Sequence, residues 1–104
     1  MNSKLKNSYE PFYWSTLGEF NLTMAEGCLI FLIRGLSKNT GYCYASKHKL
    51  AEILNTTETT IYSLIKKLII KGMIKRRGLS EYRTMCLSTV EKFDSYVESL
   101  KRNY

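Results

Sequence analysis

The sequence has little of what membrane proteins and most enzymes require. Its longest apolar run, CLIFLI at 28–33, is far shorter than the ~20 residues that cross a bilayer, and its polar N-terminus lacks a signal-peptide core. His48 is the only histidine, and no Ser-His-Asp, paired-carboxylate, Walker or GxGxxG pattern occurs. We therefore expect a non-enzymatic protein without cofactor or membrane segment, in which His48 is a surface or phosphate-contacting residue.

Cysteine is also scarce. Cys28, Cys43 and Cys86 are odd in number and widely spaced, and no CxxC pair is present. Such spacing supplies neither a disulfide framework nor a zinc cluster, so we expect free thiols, no metal site and a reducing compartment such as the cytoplasm. A disulfide between two of the three cysteines remains an alternative.

Charge is unevenly distributed along a chain of 104 residues, whose 44% apolar content suffices for one domain with a modest core. The chain carries a net charge of +7, and residues 47–83 alone hold nine basic and three acidic residues. Residues 1–46 contribute +1 and residues 88–104 contribute zero. This concentration favours a polyanionic partner, with a merely solvated basic face as the alternative.

The N-terminal residues 1–22 contain the only proline and a cluster of aromatic residues. We interpret them as an irregular or short-stranded arm. Its apolar area needs cover, which packing on the protein's own core would supply. Binding of a protein partner is the alternative. The aromatic residues are Tyr9, Phe12, Tyr13, Trp14 and Phe20.

Three helices are predicted between residues 23 and 72. Thr23 and Glu26 form a capping box for a helix over 24–36, which is apolar on nearly all sides and should therefore be sandwiched. A short extended segment follows at 42–45. Ser46 is a plausible N-cap for a second helix over 47–54. The third helix runs from Glu58 to Lys71, capped by Thr57 and terminated by Gly72, with a tight turn at Asn55 before it.

The third helix has two contrasting faces. Ile61, Leu64, Ile65 and Leu68 cluster on one side of a helical wheel. The opposite side is short-chained and hydrogen-bonding near its start and cationic further on, which suits insertion into a DNA groove. The candidate recognition residues, including the N-cap, are Thr57, Thr59, Thr60, Tyr62, Ser63, Lys66 and Lys67.

A basic hairpin and a last helix complete the pattern. Strands are predicted over 73–77 and 82–87, joined by a turn at 78–81. From Ser88 to Glu91 a second capping box opens a helix with one apolar stripe. We expect that stripe to hold a homodimer, or alternatively to cover the helix over 24–36. The stripe consists of Val90, Phe93, Val97, Leu100 and Tyr104.

The order of these elements resembles the winged helix-turn-helix DNA-binding family over roughly residues 23–87. The resemblance rests on residues 50–54, 57–61, 65–68 and 71–75, where Lys71-Gly72-Met73-Ile74-Lys75 enters the wing. Ser46 before Leu50-Ala51-Glu52 is similar to the domain of phage and plasmid replication proteins of Gram-positive bacteria. The sequence departs from the family at Asn55-Thr56, where glycine and an aliphatic residue are usual, and at Ile69-Ile70, where charged residues are usual.

The resemblance implies a mainly α fold with a small β-hairpin wing, in which 1–22 is an arm, 23–87 the winged domain and 88–104 an extra helix. It implies sequence-specific binding of double-stranded DNA by a transcriptional regulator, or by a replication-associated factor of a phage or other mobile element. The alternative is a protein-interaction module that binds through the aromatic arm or the helix over 24–36. Candidate DNA-backbone and wing contacts are Ser46, Lys47, Lys49, Lys75, Arg76, Arg77 and Arg83.

Overall fold

The computed structural model describes residues 12–38, 41–43, 45–79 and 85–102. This part of the chain forms a mainly helical domain with one antiparallel hairpin, as the sequence predicted. Its elements are α1 (Ser15–Glu19), α2 (Met24–Leu36), α3 (Lys47–Leu54), α4 (Glu58–Ile70), β1 (Ile74–Leu79), β2 (Met85–Thr89) and α5 (Glu91–Arg102).

The starts of α2, α3 and α4 are fixed by hydroxyl caps at the positions that the sequence indicated. The Thr23 hydroxyl accepts from the Glu26 amide at 3.2 Å, and the Glu26 carboxylate accepts from the Thr23 amide at 2.8 Å. Ser46 and Thr57 each accept from the backbone amide three residues later. Each cap satisfies an amide that the helix itself cannot pair, typically worth about 1 kcal/mol.

The N-terminal segment differs from the predicted arm, because it contains the helix α1. The Thr16 hydroxyl, which is fully buried, donates to the Tyr13 carbonyl at 2.7 Å. The rings of Phe12 and Tyr13 lie 5.1 and 6.2 Å from the ring of Phe31 on α2. The described aromatic side chains of this segment, apart from the exposed Trp14, therefore pack on the protein's own core. Tyr9 lies outside the described residues.

Helix α2 is the centre of the core, which explains why it is apolar on nearly all sides. Leu29, Ile30 and Ile33 are completely buried. The helix contacts α1, α3, α4 and β2. Gly27 allows the N-terminal segment to approach α2, since a Cβ at this position would lie 2.5 Å from a methyl of Leu17. The predicted sandwiching of this helix is confirmed.

The strands of the hairpin lie further along the chain than the sequence indicated, over 74–79 and 85–89 in place of 73–77 and 82–87. Ile74 pairs with Thr89, and Leu79 still pairs with Met85, so the predicted turn at 78–81 was placed too early. Gly78 does not stop the ladder, because β1 absorbs an extra residue between Arg76 and Leu79. Residues 80–84, including Arg83, lie outside the described residues. Cys43 forms an isolated bridge with Leu87, which agrees with the short extended segment predicted there.

The last helix begins three residues after the predicted cap at Ser88. Ser88 is committed to β2, where it pairs with Lys75, and β2 runs on to Thr89. The Val90 amide then donates to the Met73 carbonyl at 3.0 Å, and the Val90 carbonyl accepts from Asp94. The Thr89 hydroxyl donates to the Asp94 carboxylate at 2.6 Å. Strand pairing thus displaced the capping box that the local sequence favours.

Three of the five stripe residues, Val90, Phe93 and Val97, pack against the same chain. Phe93 and Val97 are completely buried, and the Phe93 ring lies 5.5 Å from Phe20 and 5.3 Å from Phe31. Val90 packs partly buried against the same core. These three side chains are therefore not available as the predicted dimer interface. The homodimer itself stays a prediction, and Tyr104 lies outside the described residues.

None of the three cysteines is in a disulfide, and burial raises the pKa of the Cys43 thiol above its ordinary value. No helix within the described ranges combines the length and apolar character needed to span a membrane.

Candidate nucleic-acid interface

The helix-turn-helix unit is set by a single left-handed residue between α3 and α4. Asn55 has φ 55° and ψ 51°, a conformation that asparagine tolerates better than most residues. The Thr56 amide donates to the Ala51 carbonyl at 2.9 Å, which closes the turn. Asn55 thus replaces the usual glycine. Thr56 is exposed and adds nothing to the core.

Helix α4 has the two faces that the helical wheel predicted. Ile61, Leu64, Ile65 and Leu68 are buried against the core. The opposite face is exposed and carries Thr59, Thr60, Tyr62, Ser63, Lys66 and Lys67. The structure therefore gathers these candidate recognition residues on one solvent-facing surface, which we call the α4 face.

Hydroxyl groups on and beside the α4 face are not equivalent. Thr57 accepts from the Thr60 amide at 3.2 Å, and the two threonine hydroxyls hydrogen-bond each other at 3.0 Å. Thr57 thus acts mainly as the helix cap. Thr59 and Ser63 make no side-chain hydrogen bond within the described ranges, so their hydroxyls are available to a ligand.

Tyr62 joins two lysines from different helices. Lys47 Nζ, at the start of α3, lies 4.7 Å from the centre of the Tyr62 ring, and Lys66 Nζ lies 5.1 Å from it. Cation–π contacts at this distance contribute about 0.5–1 kcal/mol each at exposed sites.

Other basic residues of the same stretch are paired with acids. Lys49 lies 3.4 Å from Glu52, with both side chains exposed, so this pair contributes at most about 1 kcal/mol. Lys71 Nζ lies 2.7 Å from a carboxylate oxygen of Glu26 and donates to the Asn21 carbonyl at 2.7 Å. Lys71 is therefore a structural residue, although its charge counts toward the basic stretch.

The Glu26 carboxylate is held ionised inside the protein. Only 1% of Glu26 is exposed. Burial acts to raise the pKa of this carboxyl, but the hydrogen bonds from Lys71 and Thr23, together with the Lys71 charge, lower it below its ordinary value of 4.5. The end of α4 is thereby tied to the start of α2.

His48 lies on the surface, as predicted, but its neighbours are acidic. Its side chain is 74% exposed, with Nδ1 3.4 Å from Glu58 and Nε2 3.7 Å from Glu52. A shallow depression is lined by this histidine, both glutamates and the interhelical turn. Two carboxylates disfavour a phosphate here, so the predicted phosphate contact of His48 receives no support from its surroundings.

Within the described residues, the wing adds two cationic side chains to the basic surface. Lys75 and Arg76 on β1 are exposed. The Arg77 backbone belongs to the same strand, but its side chain and the whole of Arg83 lie outside the description. Ser46, another predicted backbone contact, uses its hydroxyl to cap α3.

An ion-pair cluster that the sequence analysis missed fastens α5 to α2. Arg34 Nε lies 3.0 Å from Asp94, and its Nη2 lies 2.6 Å from Glu98. The Arg34 hydrogen bond is the main cause of a lowered pKa at Glu98. Nothing in the sequence indicated this pairing, because the partners are 60 and 64 residues apart.

The sequence model of a family described as a helix-turn-helix domain matches residues 21–74, slightly more than half of the chain. The chain belongs to the helix-turn-helix domain family. The matched range begins before the Thr23 cap, includes α2, α3 and α4, and ends at the first residue of β1. No curated protein matches this helix-turn-helix domain in sequence.

Solved structures share the winged fold. A MepR variant from S. aureus bound to an oligodeoxyribonucleotide is 17% identical with a TM-score of 0.66, and the match covers 85% of this chain and 62% of that one. MarR is 21% identical with a TM-score of 0.62, covering 96% and 69%. A MarR family regulator from Neisseria meningitidis is 18% identical with a TM-score of 0.54, covering 86% and 59%. This chain thus spans about three fifths of the MepR chain.

At these identities the likeness concerns the fold. The predicted winged helix-turn-helix architecture, mainly α with a two-stranded wing, is confirmed. The finer resemblance to phage and plasmid replication proteins is not tested by these comparisons and remains a proposal.

Proposed function

We propose that this helix-turn-helix domain binds double-stranded DNA sequence-specifically and acts as a transcription regulator. The observation that carries the proposal is the α4 face, a polar and cationic surface directly opposite the buried side of the same helix. A helix presented in this way fits the major groove. The fold of the DNA-bound MepR structure supports the proposal as well.

Short hydroxyl side chains would read the bases. Thr59 and Ser63 are exposed on α4 and make no side-chain hydrogen bond within the described ranges. A hydroxyl can donate to or accept from a base edge, and a good base contact contributes about 1–3 kcal/mol of discrimination. Their small size lets the helix approach the floor of the groove.

The first experiment recovers bound sequences from a random duplex pool and measures their affinity for the Ser63→Ala variant. We expect the variant to lose about tenfold or more on the recovered site and little on mixed-sequence DNA. Ser99→Ala, an exposed serine on α5, is the matched control. An unchanged preference in Ser63→Ala and Thr59→Ala would show that α4 is not the reader.

Salt dependence tests the phosphate contacts. Five exposed or half-exposed cations whose side chains are described on α3, α4 and β1 make no ion pair with an acid: Lys47, Lys66, Lys67, Lys75 and Arg76. If each of the five neutralises its own phosphate, log K should fall with log salt with a slope of about −4.5 from these residues, or about −3.6 if two of them share one phosphate. Neutralising Lys75 and Arg76 to Gln should flatten the slope by about 1.8, whereas the control Lys92→Gln on α5 should not. An unaltered slope would leave the wing merely solvated.

A replication-associated role in a phage or other mobile element is the alternative within DNA binding. The recovered site distinguishes the two roles by its position near promoters or near replication origins. A homodimer would give two-fold symmetric half-sites about 34 Å apart, and a monomer would give one asymmetric site.

Protein binding is the second candidate function, favoured by two exposed isoleucines at the end of α4. Ile70 is 82% exposed and Ile69 is 38% exposed. Apolar side chains in this position contribute little to binding a polyanion. A chain that binds duplex DNA with no salt dependence, or not at all, would favour this candidate.

A further inference from the structure

The Lys47–Tyr62–Lys66 contact defines a unit that belongs to neither helix alone. Lys47 is the first residue of α3, whereas Tyr62 and Lys66 are one turn apart on α4. Both ammonium groups lie over the tyrosine ring, so they can be no farther apart than the sum of their two distances from it. The ring thus brings together charges from both helices of the helix-turn-helix unit.

The chemistry of this unit suits an anion. Neither lysine makes an ion pair with an acid of the described chain, so neither charge is neutralised. A lysine side chain is flexible, and a ring contact restricts it before a ligand arrives, which lowers the entropy lost on binding. Tyr62 is 47% exposed, so its ring supports the ammonium groups at the protein surface.

The tyrosine hydroxyl makes no contact comparable to those of the ring. It makes no hydrogen bond within the described part of the chain, and the contacts recorded for Tyr62 are those of its ring with the two lysines. Tyr62 was expected among the base-reading residues, a role that would depend on the hydroxyl. The hydroxyl is as free as those of Thr59 and Ser63, so the assignment to the ring rests on its two lysine contacts.

We propose that Tyr62 is a positioning residue whose ring holds Lys47 and Lys66 as a joint binding site for a DNA phosphate, while its hydroxyl reads no base. This inference rests on the proposed DNA binding. It assigns Tyr62 to affinity that is independent of sequence, because phosphates carry no sequence information directly.

The test compares Tyr62→Leu with Tyr62→Phe by fluorescence anisotropy on a recovered duplex and on a mixed-sequence duplex over a series of salt concentrations. Tyr62→Leu removes the ring and should weaken binding to both duplexes about three- to tenfold, leaving their ratio unchanged. Tyr62→Phe keeps the ring and should bind both duplexes with the affinity of the unchanged chain. Circular dichroism melting checks that both variants are folded.

A second set of variants begins with the two lysines and leaves Tyr62 in place. A folding defect caused by replacing Tyr62 therefore cannot explain their effect. Lys47→Gln with Lys66→Gln should flatten the salt slope by about 0.9, because one phosphate is lost. In that background Tyr62→Leu should have no further effect. The matched control, Lys67→Gln on the same helix, should leave the effect of Tyr62→Leu intact.

Three results would overturn the inference while leaving DNA binding in place. Tyr62→Phe could lose the preference for the recovered site as Tyr62→Leu does, which would assign base reading to the hydroxyl. The effects of Tyr62→Leu and the double lysine substitution could be additive, or the lysine variant could keep the full salt slope. Failure of the unchanged chain to bind either duplex at low salt would instead refute the proposed function.

Discussion

The ion pair between Glu26 and Lys71 should stabilise the fold and fix the end of α4. The Glu26 side chain is 2% exposed, and Lys71 Nζ lies 2.7 Å from its carboxylate. Lys71→Met keeps much of the aliphatic chain but removes the ammonium group. The carboxylate would then remain buried with the Thr23 amide as its remaining partner among the contacts described above.

The size of the effect follows from the burial of the two partners. Breaking a fully buried ion pair costs about 3–5 kcal/mol, because an uncompensated charge stays inside. Lys71 is 31% exposed, so water can reach the site. We therefore expect Lys71→Met to lower the free energy of unfolding by about 2 kcal/mol. Glu26→Gln should cost about 1 kcal/mol, since an amide oxygen can still accept from the Thr23 amide.

The double variant decides whether the two residues act together. With both charges removed, no carboxylate is left unpaired, so the combined cost should fall at least about 1 kcal/mol below the sum of the single costs. Urea unfolding followed by circular dichroism measures all four free energies. Lys92→Met on the exposed surface of α5 is the matched control. Additive costs within about 0.5 kcal/mol would refute the proposed coupling.

The same pair predicts how stability depends on pH. The folded-state pKa of Glu26 lies below the ordinary value of 4.5, so the unfolded chain binds more protons in this range. The contribution of Glu26 is therefore fully present above about pH 4.5 and is lost as the pH falls through the folded-state pKa. The unfolding free energy of Glu26→Gln should lack this decline. An equal decline in both proteins would show that other carboxyl groups cause it.

Two further predictions concern the turn and the last helix. Asn55→Ala should lower the free energy of unfolding by about 1 kcal/mol, because alanine is strained at φ 55°, whereas Asn55→Gly should be nearly neutral; equal costs in urea unfolding would contradict this explanation. Phe93→Asp should unfold the chain, since the ring is completely buried against Phe20 and Phe31. A folded monomer of Phe93→Asp in sedimentation, beside a dimeric unchanged chain, would instead place Phe93 in a dimer interface.

The helix-turn-helix unit could be predicted closely from the sequence because short-range rules determine it. Ser46 and Thr57 cap the next amides within one turn, and Asn55 needs no distant contact to adopt its left-handed conformation. The α4 face follows from helical periodicity once Ile61 and Leu68 are assigned to the core. These features were correct because local preference and tertiary packing agree.

The errors occurred where a distant partner overrides a local signal. Ser88 and Glu91 match a capping box, but pairing of Ser88 with Lys75 keeps the chain extended. Gly78 resembles a turn residue, yet the strand continues through it with a register irregularity. The stripe of α5 fits a dimer or a core equally well in the sequence, and only the positions of Phe20 and Phe31 show that it packs inside.

The basic stretch at 47–83 shows that distant partners also affect what can be predicted about the candidate site. Lys67 and Lys71 are both lysines separated by one helical turn, and each adds one unit to the sequence charge. Lys67 is exposed on the α4 face, whereas Lys71, just past the last residue of the helix, bonds Glu26 and the Asn21 carbonyl. One lysine is thus available to an anion, while the other fixes the helix that presents it. The net charge of the stretch therefore does not measure the charge that is available to an anion, which within the described residues lies on α4, the start of α3 and the wing.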